Sequence, residues 1–138
     1  MRRAVLDTNI VVTALLHPDR LCARLLQLVV TDAVAACVDR RILTEYAEVL
    51  SDPRLTRHIP PDRVATVLDH FQQSGTSVIA QPLAVALPDP DDLCFLEVAA
   101  SGRADLVTGN RRHFPKNLTG SVPVFSPAEY LEDLRTSP

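Results

Sequence analysis

The chain has 138 residues, of which 46% are hydrophobic and 22% charged, and its formal net charge is −3. These values are ordinary for a single globular domain spanning residues 1–138, and they exclude a disordered chain. They also exclude a strongly basic protein that coats duplex nucleic acid nonspecifically, so any nucleic-acid contact must be a local patch.

The cysteines and the N-terminus both favour a cytoplasmic protein. Cys22, Cys37 and Cys94 are far apart and lack zinc-ligand spacing, which predicts reduced, buried thiols. The N-terminus has no signal-peptide pattern, and its first apolar run is too short to span a bilayer. We therefore expect a cytoplasmic location and no membrane contact.

The first half of the chain alternates short apolar runs with amphipathic stretches. The run 4–6 predicts a buried strand that ends at Asp7, and the run 33–38 predicts a second strand that ends at Asp39. The other predicted elements of this half are helices over about 10–16, 19–30, 39–50 and 61–75, a basic turn or short helix over 53–59, and a brief strand over 77–80.

The second half begins with an acidic turn, Asp89-Pro90-Asp91-Asp92, before an apolar helix that ends at Gly102. Acidic residues favour a helix N-terminus by about 0.3–1 kcal/mol each, which supports this helix. Strands follow over 104–108 and 122–125, and Ser126 and Glu129 form a capping-box start for a last helix. Strands that alternate with helices predict an α/β fold with a parallel sheet covered on both faces.

Polar side chains follow three of the predicted strands. Asp7 and Asp39 end the first two, and Thr108-Gly109-Asn110 ends the fourth. Ligands of parallel sheets bind beyond the carboxyl ends of the strands, although Asp7 is equally suited to cap the next helix. Glu45 and the acidic turn lead into the same region, and such a cluster requires protonation or a cation, for which oxygen ligands select Mg²⁺ or Mn²⁺.

Four short segments follow one another in a recognisable order over nearly the whole chain. They are Leu6-Asp7-Thr8-Asn9, Glu45 within its helix, Asp89-Pro90-Asp91-Asp92 before Phe95-Leu96, and Leu106-Val107-Thr108-Gly109-Asn110 before His113-Phe114. Together they resemble a PIN domain, and in particular the VapC-like toxin ribonucleases of bacterial toxin–antitoxin pairs.

The resemblance implies a three-layer α/β/α PIN-like fold with a small central parallel sheet, and a metal-dependent endoribonuclease activity. The acidic positions of the family fall on Asp7, Glu45, Asp92 and Asn110, and the last departs from the aspartate of many members because an amide adds no negative charge. Asp7, Asp92 and Glu45 are the expected ligands of Mg²⁺ or Mn²⁺, with Glu45 also orienting or deprotonating the attacking water. The supporting or alternative ligands are Thr8, Asn9, Asp89, Asp91 and Thr108.

Binding partners follow from the same resemblance. Arg111, Arg112 and Lys116, with His113 between them, are candidates to grip phosphates of an RNA substrate, although a solvated loop explains them equally well. A cognate small antitoxin is expected to cover the acidic groove, and a homodimer is the expected oligomeric state. The other charged and aromatic residues have ordinary structural explanations. A basic rim or solvated faces are expected for Arg40, Arg41, Arg54, Arg57 and His58, and surface or helix-facing roles for Glu48, Glu97 and Asp105. Phe95 and Phe114 are expected to pack in the core.

The sequence fits other classes of protein less well. A haloacid dehalogenase phosphatase needs an aspartate two residues after its nucleophile, where this chain has Asn9. An EF-hand loop beginning at Asp89 is broken by Leu93 and Leu96. A non-catalytic PIN-like module that binds protein or RNA remains the alternative, but its signature, the loss of two or more acids, is absent here.

Overall fold

The computed structural model describes residues 1–137, so Pro138, the last residue of the predicted domain, lies outside the described residues. Strands and helices alternate along the chain. They are β1 (Arg3–Leu6), α1 (Thr8–Leu16), α2 (Leu21–Val30), β2 (Ala35–Val38), α3 (Arg40–Leu50), α4 (Pro53–Thr56), α5 (Pro61–Ser74), β3 (Thr76–Ser77), α6 (Leu93–Gly102), β4 (Asp105–Val107), β5 (Val124–Phe125) and α7 (Pro127–Thr136). Within the described part of the chain, no helix is both long and apolar enough to cross a membrane.

The five strands form one parallel sheet in the order β3-β2-β1-β4-β5. The first strand of the chain is therefore central, with Ala4 opposite Ala36 of β2 and Val5 opposite Leu106 of β4. The chain moves outward from β1 to β3, then returns across the sheet to place β4 on the other side of β1. This reversal makes the gap beyond β1 and β4 the switch point, where ligands of open α/β sheets bind.

Helices flank the sheet, which confirms the predicted α/β fold with a small central parallel sheet. Helix α6 packs against the three central strands, β2, β1 and β4, whereas α1 pairs with α2. With the right-handed crossovers that parallel strands nearly always adopt, the reversal after β3 puts α6 on the face opposite α1 and α2. Phe95 of α6 is buried, as is Phe114, and full burial of such a side chain contributes roughly 1.5–3 kcal/mol. Core packing of these two phenylalanines is thus confirmed.

Four strands, β2, β3, β4 and β5, are shorter than the sequence predicts, and the contacts of neighbouring elements explain the first two. Strand β2 begins at Ala35 because the backbone N–H groups of Ala33 and Val34 donate to the carbonyl of Leu28 and so complete the end of α2. Strand β3 covers Thr76–Ser77 rather than 77–80. Its partner ends first, because Ser77 pairs with the last residue of β2, and beyond it Ile79 is 91% exposed.

The cysteines are free thiols, but only one is fully buried. Cys37 lies in the core, whereas Cys22 and Cys94 are half-buried, which corrects the expectation that all three are buried. Burial raises the pKa of the Cys94 thiol to about 12, with a further contribution from the nearby charge of Glu45. A thiol of such high pKa is a poor nucleophile at neutral pH.

Candidate metal centre

Asp7 lies at the switch point, held by the two strands that meet there. Its backbone N–H donates to the carbonyl of Val107 at 2.9 Å, and the Thr108 hydroxyl donates to Asp7 Oδ2 at 2.8 Å. The residue is 5% exposed, and this burial raises the pKa of its carboxyl, while the bond from Thr108 lowers it. Residues at the end of β4 therefore position the Asp7 carboxylate, which follows β1, and partly stabilise its charge.

Asp7 also stands at the N-cap of α1, which was the alternative explanation for it. The N–H groups of Thr8 and Asn9 lower the pKa of the Asp7 carboxyl, but the side chain makes no capping hydrogen bond to the described helix. Among residues 1–137, its side-chain hydrogen bond is the one from Thr108. The carboxylate is thus oriented by the neighbouring strand rather than by its own helix.

Glu45 reaches the same place from α3. Its Oε2 accepts a hydrogen bond from the hydroxyl of Thr8, the residue after Asp7. Burial raises the pKa of the Glu45 carboxyl, as do the charges of Asp7, Asp91 and Asp89, while the bond from Thr8 lowers it. Like charges that shift one another in this way lie within mutual electrostatic range.

The helix that carries Glu45 is anchored to β1 by the next residue. Tyr46 is completely buried, and its hydroxyl donates to the backbone carbonyl of Leu6 at 2.5 Å. Its ring packs on Phe71 of α5 with centroids 4.9 Å apart. Because Leu6 directly precedes Asp7, this bond fixes Glu45 and Asp7 relative to each other.

Asp92 enters the cluster at the start of α6 and is 8% exposed. Burial, followed by the charges of Asp7 and Asp89, raises the pKa of the Asp92 carboxyl from 3.8 to about 6, and the charge of His113 lowers it. Asp89 has a local role as well, since its side chain accepts a hydrogen bond from the N–H of Asp91 and starts the turn that leads to Asp92. Asp91 itself is exposed.

One oxygen of Asp92 is buried without a hydrogen bond from any described residue. This atom, Oδ2, lies 2.9 Å from Nδ1 of His113, a contact that forms an ion pair when the ring is protonated but lacks the geometry of a hydrogen bond. Asp89, Asp92 and His113 each offer one ligand atom, and the three atoms lie within 4.8 Å of one another. A buried, unsatisfied carboxylate oxygen beside further donors is suited to bind a cation.

Asn110 lies at the same strand end but uses its side chain locally. Its backbone N–H donates to the Thr108 hydroxyl at 3.0 Å, and its Oδ1 accepts from the N–H of Arg112 at 3.2 Å. The second bond starts a single 3₁₀ turn over Arg111–His113. Asn110 thereby directs His113 toward Asp92, a pairing that the sequence pattern did not predict, since it left phosphate contacts and a solvated loop as equal explanations for His113.

The predicted basic residues differ in whether their side chains form ion pairs or hydrogen bonds. Arg111 donates to the carbonyl of Val124 at 2.8 Å and pairs with Glu129 at 3.0 Å. Arg112 and Lys116 are exposed, and neither forms an ion pair among the described residues. Within residues 1–137, Arg112 and Lys116 are therefore unpaired cations on the chain that follows Asn110.

A further buried carboxylate, Glu97, joins α6 to α3, which is the helix-facing of the two roles expected for it. Its two oxygens accept from Arg41 Nη1 at 2.6 Å and from the N–H of Leu83 at 2.8 Å. Arg41 also donates to Asp39 Oδ2 at 2.9 Å, and Asp39 caps α3 through the N–H of Ile42. Asp39 and Arg41 thus serve this structural network, in which Glu97 has a helix-facing role and Arg41 is engaged in ion pairs.

Comparison with known proteins adds a sequence family and a set of similar folds. A family model described as PIN domain matches residues 3–112. The chain is 28% identical over 112 residues to the uncharacterized protein MJ1680 of Methanocaldococcus jannaschii, an alignment that covers 79% of this chain and 71% of that one.

Three solved structures share the architecture. PAE2754 from Pyrobaculum aerophilum has a TM-score of 0.63 at 15% identity, covering 99% of this chain and 91% of that one. VapBC2 from Rickettsia felis, bound to a DNA fragment from its promoter, has a TM-score of 0.58 at 17% identity, covering 90% and 98%. FitAcB from Neisseria gonorrhoeae has a TM-score of 0.52 at 12% identity, covering 91% and 98%. At these identities the likeness concerns the fold.

Proposed function

The chain belongs to the PIN domain family, and on that premise we propose that it is a metal-dependent endoribonuclease and the toxin of a toxin–antitoxin pair. One observation carries the proposal. Asp7, Glu45 and Asp92 come from three elements to the switch point of the sheet, and burial raises the pKa of each carboxyl, with repulsion from neighbouring carboxylates adding to the rise at Glu45 and Asp92. Carboxyl groups with raised pKa values that converge where ligands bind are typical of functional sites.

The residues present fit a divalent cation. The carboxylates supply hard oxygen donors of the kind that bind Mg²⁺ or Mn²⁺. The buried Oδ2 of Asp92 has no hydrogen bond among the described residues, so a cation would satisfy it without displacing a protein contact. Asp7 and Asp92 would hold the ion, and Glu45 would complete or adjoin that set.

Each residue then has a defined task in hydrolysis of a phosphodiester bond. A bound divalent ion supplies positive charge against the phosphate and makes a nearby water more acidic. Glu45, whose carboxyl has a raised pKa, orients that water and accepts its proton at Oε1 or Oε2. Thr8 holds Glu45 in place and Thr108 holds Asp7, so both carboxylates are oriented before the substrate arrives.

The substrate and partners are proposed from charge and fold. Arg112 and Lys116 are exposed cations at the mouth of an acidic site, where they would contact RNA phosphates on either side of the scissile bond. The similar fold of VapBC2 supports a small antitoxin as partner, with a basic side chain placed against the carboxylates. We further propose a homodimer that acts in the cytoplasm, where both RNA and antitoxin are made.

The test is cleavage of a mixed RNA pool by the purified protein with Mg²⁺, with Mn²⁺ and with EDTA. We expect cleavage with metal only, and a loss of about 100-fold or more in Asp7→Asn and in Asp92→Asn. Asp69→Asn is the matched control, because Asp69 is an exposed aspartate on α5. Circular dichroism checks that each variant is folded. Equal trace activity in all samples would mean contamination and would favour a non-catalytic binding module.

A further inference from the structure

The donor set at the acidic turn includes a nitrogen as well as oxygens. His113 comes from the 3₁₀ turn after β4, and Asp89 and Asp92 come from the turn before α6. Resting on the proposed function, we infer that His113, with Asp89 beside it, is a further ligand of the ion that Asp7 and Asp92 would hold, so that the site prefers a first-row transition-metal ion to Mg²⁺.

The separation of the donor atoms supports a shared ion. His113 Nδ1 and Asp92 Oδ2 lie 2.9 Å apart, and no aligned hydrogen bond joins them. Two ligands bound side by side to one cation at about 2.0–2.2 Å are themselves roughly 2.8–3.1 Å apart in octahedral geometry and roughly 3.3–3.6 Å apart in tetrahedral geometry. The observed contact therefore suits two neighbouring ligands of one octahedral ion with little movement, and of a tetrahedral ion after a shift of a few tenths of an ångström.

Burial provides an independent reason. Asp92 is 8% exposed and its Oδ2 accepts no hydrogen bond from the described residues, which is costly for an ionised oxygen. The atom faces His113 rather than solvent. A cation between the two would satisfy the oxygen and use the lone pair of a neutral imidazole at the same time.

The nature of the donors sets the preference among ions. Mg²⁺ keeps to oxygen ligands and several waters, whereas imidazole suits transition metals. The amide oxygen of Asn110 is engaged with the N–H of Arg112, so the strand end after β4 contributes to the site through His113 instead. That substitution of nitrogen for oxygen favours ions such as Mn²⁺, Fe²⁺ or Zn²⁺ over Mg²⁺.

The competing explanation is that His113 only balances charge. A protonated ring would then neutralise Asp92 in the metal-free protein and would move away when a cation binds. The two explanations differ in a measurable way, because only a ligand leaves its nitrogen in contact with the ion.

Mn²⁺ is the probe, since it is paramagnetic. Pulsed electron paramagnetic resonance of the Mn²⁺-loaded full chain detects coupling to a coordinated ¹⁴N, and the signal of free Mn²⁺ gives the affinity. We expect nitrogen coupling in the wild type and in the control His58→Gln, an exposed histidine on another part of the surface, and none in His113→Gln. The same variant should bind Mn²⁺ about tenfold or more weakly, with Mg²⁺ affinity from competition changed much less.

Two results would overturn the inference. One is bound Mn²⁺ without nitrogen coupling in the wild type, a measurement that requires no variant to fold. The other is His113→Gln binding Mn²⁺ as tightly as the wild type or more tightly. In either case metal-dependent RNA cleavage would still stand as a function, whereas a wild-type protein that binds neither Mn²⁺ nor Mg²⁺ would refute both.

Discussion

Replacing Asp92 by asparagine should make the metal-free protein more stable even as it removes activity. The pKa of this buried carboxyl rises from 3.8 to about 6, so its ionised form is disfavoured in the folded state. At about 1.4 kcal/mol per pKa unit, ionised Asp92 costs the folded protein up to about 3 kcal/mol at neutral pH. Asparagine loses the charge contact with His113 and must place its own amide, which leaves a net gain of about 1–2 kcal/mol.

The stability that Asp92→Asn gains depends on pH, and the direction of this dependence follows from the raised pKa of Asp92. Because the pKa of Asp92 is higher in the folded than in the unfolded chain, the folded protein binds more protons between about pH 4 and pH 6, and its stability falls as the pH rises through this range. The Asp92→Asn variant has no such loss, because its amide does not titrate. The difference in unfolding free energy should therefore be small near pH 4 and reach its full size above about pH 7.

Urea unfolding in EDTA measures this difference. Wild type, Asp92→Asn and the exposed control Asp69→Asn are compared at roughly pH 5 and pH 7.5, with the control expected within about 0.5 kcal/mol of wild type. Added Mn²⁺ should stabilise the wild type by mass action and leave Asp92→Asn nearly unchanged. A variant that is less stable than wild type, or a gap that does not widen with pH, would refute the reasoning that burial and repulsion of the ionised Asp92 carboxylate destabilise the fold.

Two further substitutions test the contacts that hold the acids in place. Tyr46→Phe removes the bond to the Leu6 carbonyl and leaves that oxygen unsatisfied in the core, so the free energy of unfolding should fall by about 1–3 kcal/mol; an unchanged urea midpoint would contradict this role. Glu97→Gln keeps an acceptor but loses the charge opposite Arg41, and we expect a loss of about 1–2 kcal/mol that shrinks as salt is raised, since Arg41 is half-exposed. A loss independent of salt would assign the contact to packing instead.

Local sequence signals accounted for most of the fold. The apolar run before Asp7 predicted β1, and proline or glycine predicted several helix ends, because these features depend on nearest neighbours. The brief strand over 77–80 was misplaced because its length depends on where β2 ends, which is information from elsewhere in the chain. The same is true of β2, which is shortened by the bonds that close α2.

The residues of the candidate site also divide into those that local sequence predicts and those that depend on contacts from elsewhere in the chain. Asp7 and Asp92 could be proposed from sequence because each follows a recognisable boundary, a strand end or the start of a helix. The approach of His113 to Asp92 could not, since it depends on the turn that Asn110 starts and on the packing of α6 across β4. The sequence left a surface and a helix-facing role open for Glu97, because only the packing of α6 against α3 places Arg41 opposite it.

The strand order has a consequence for the timing of synthesis. The central strand β1 emerges from the ribosome first, yet one of its two neighbours, β4, is made only after Gly102. Until then β1 can pair on one side alone, and neither Thr108 nor His113 exists to complete the cluster around Asp7 and Asp92. A partly made chain therefore carries its acids without the side chains that orient and pair with them, and the cluster is completed late, when β4 closes the gap in the sheet.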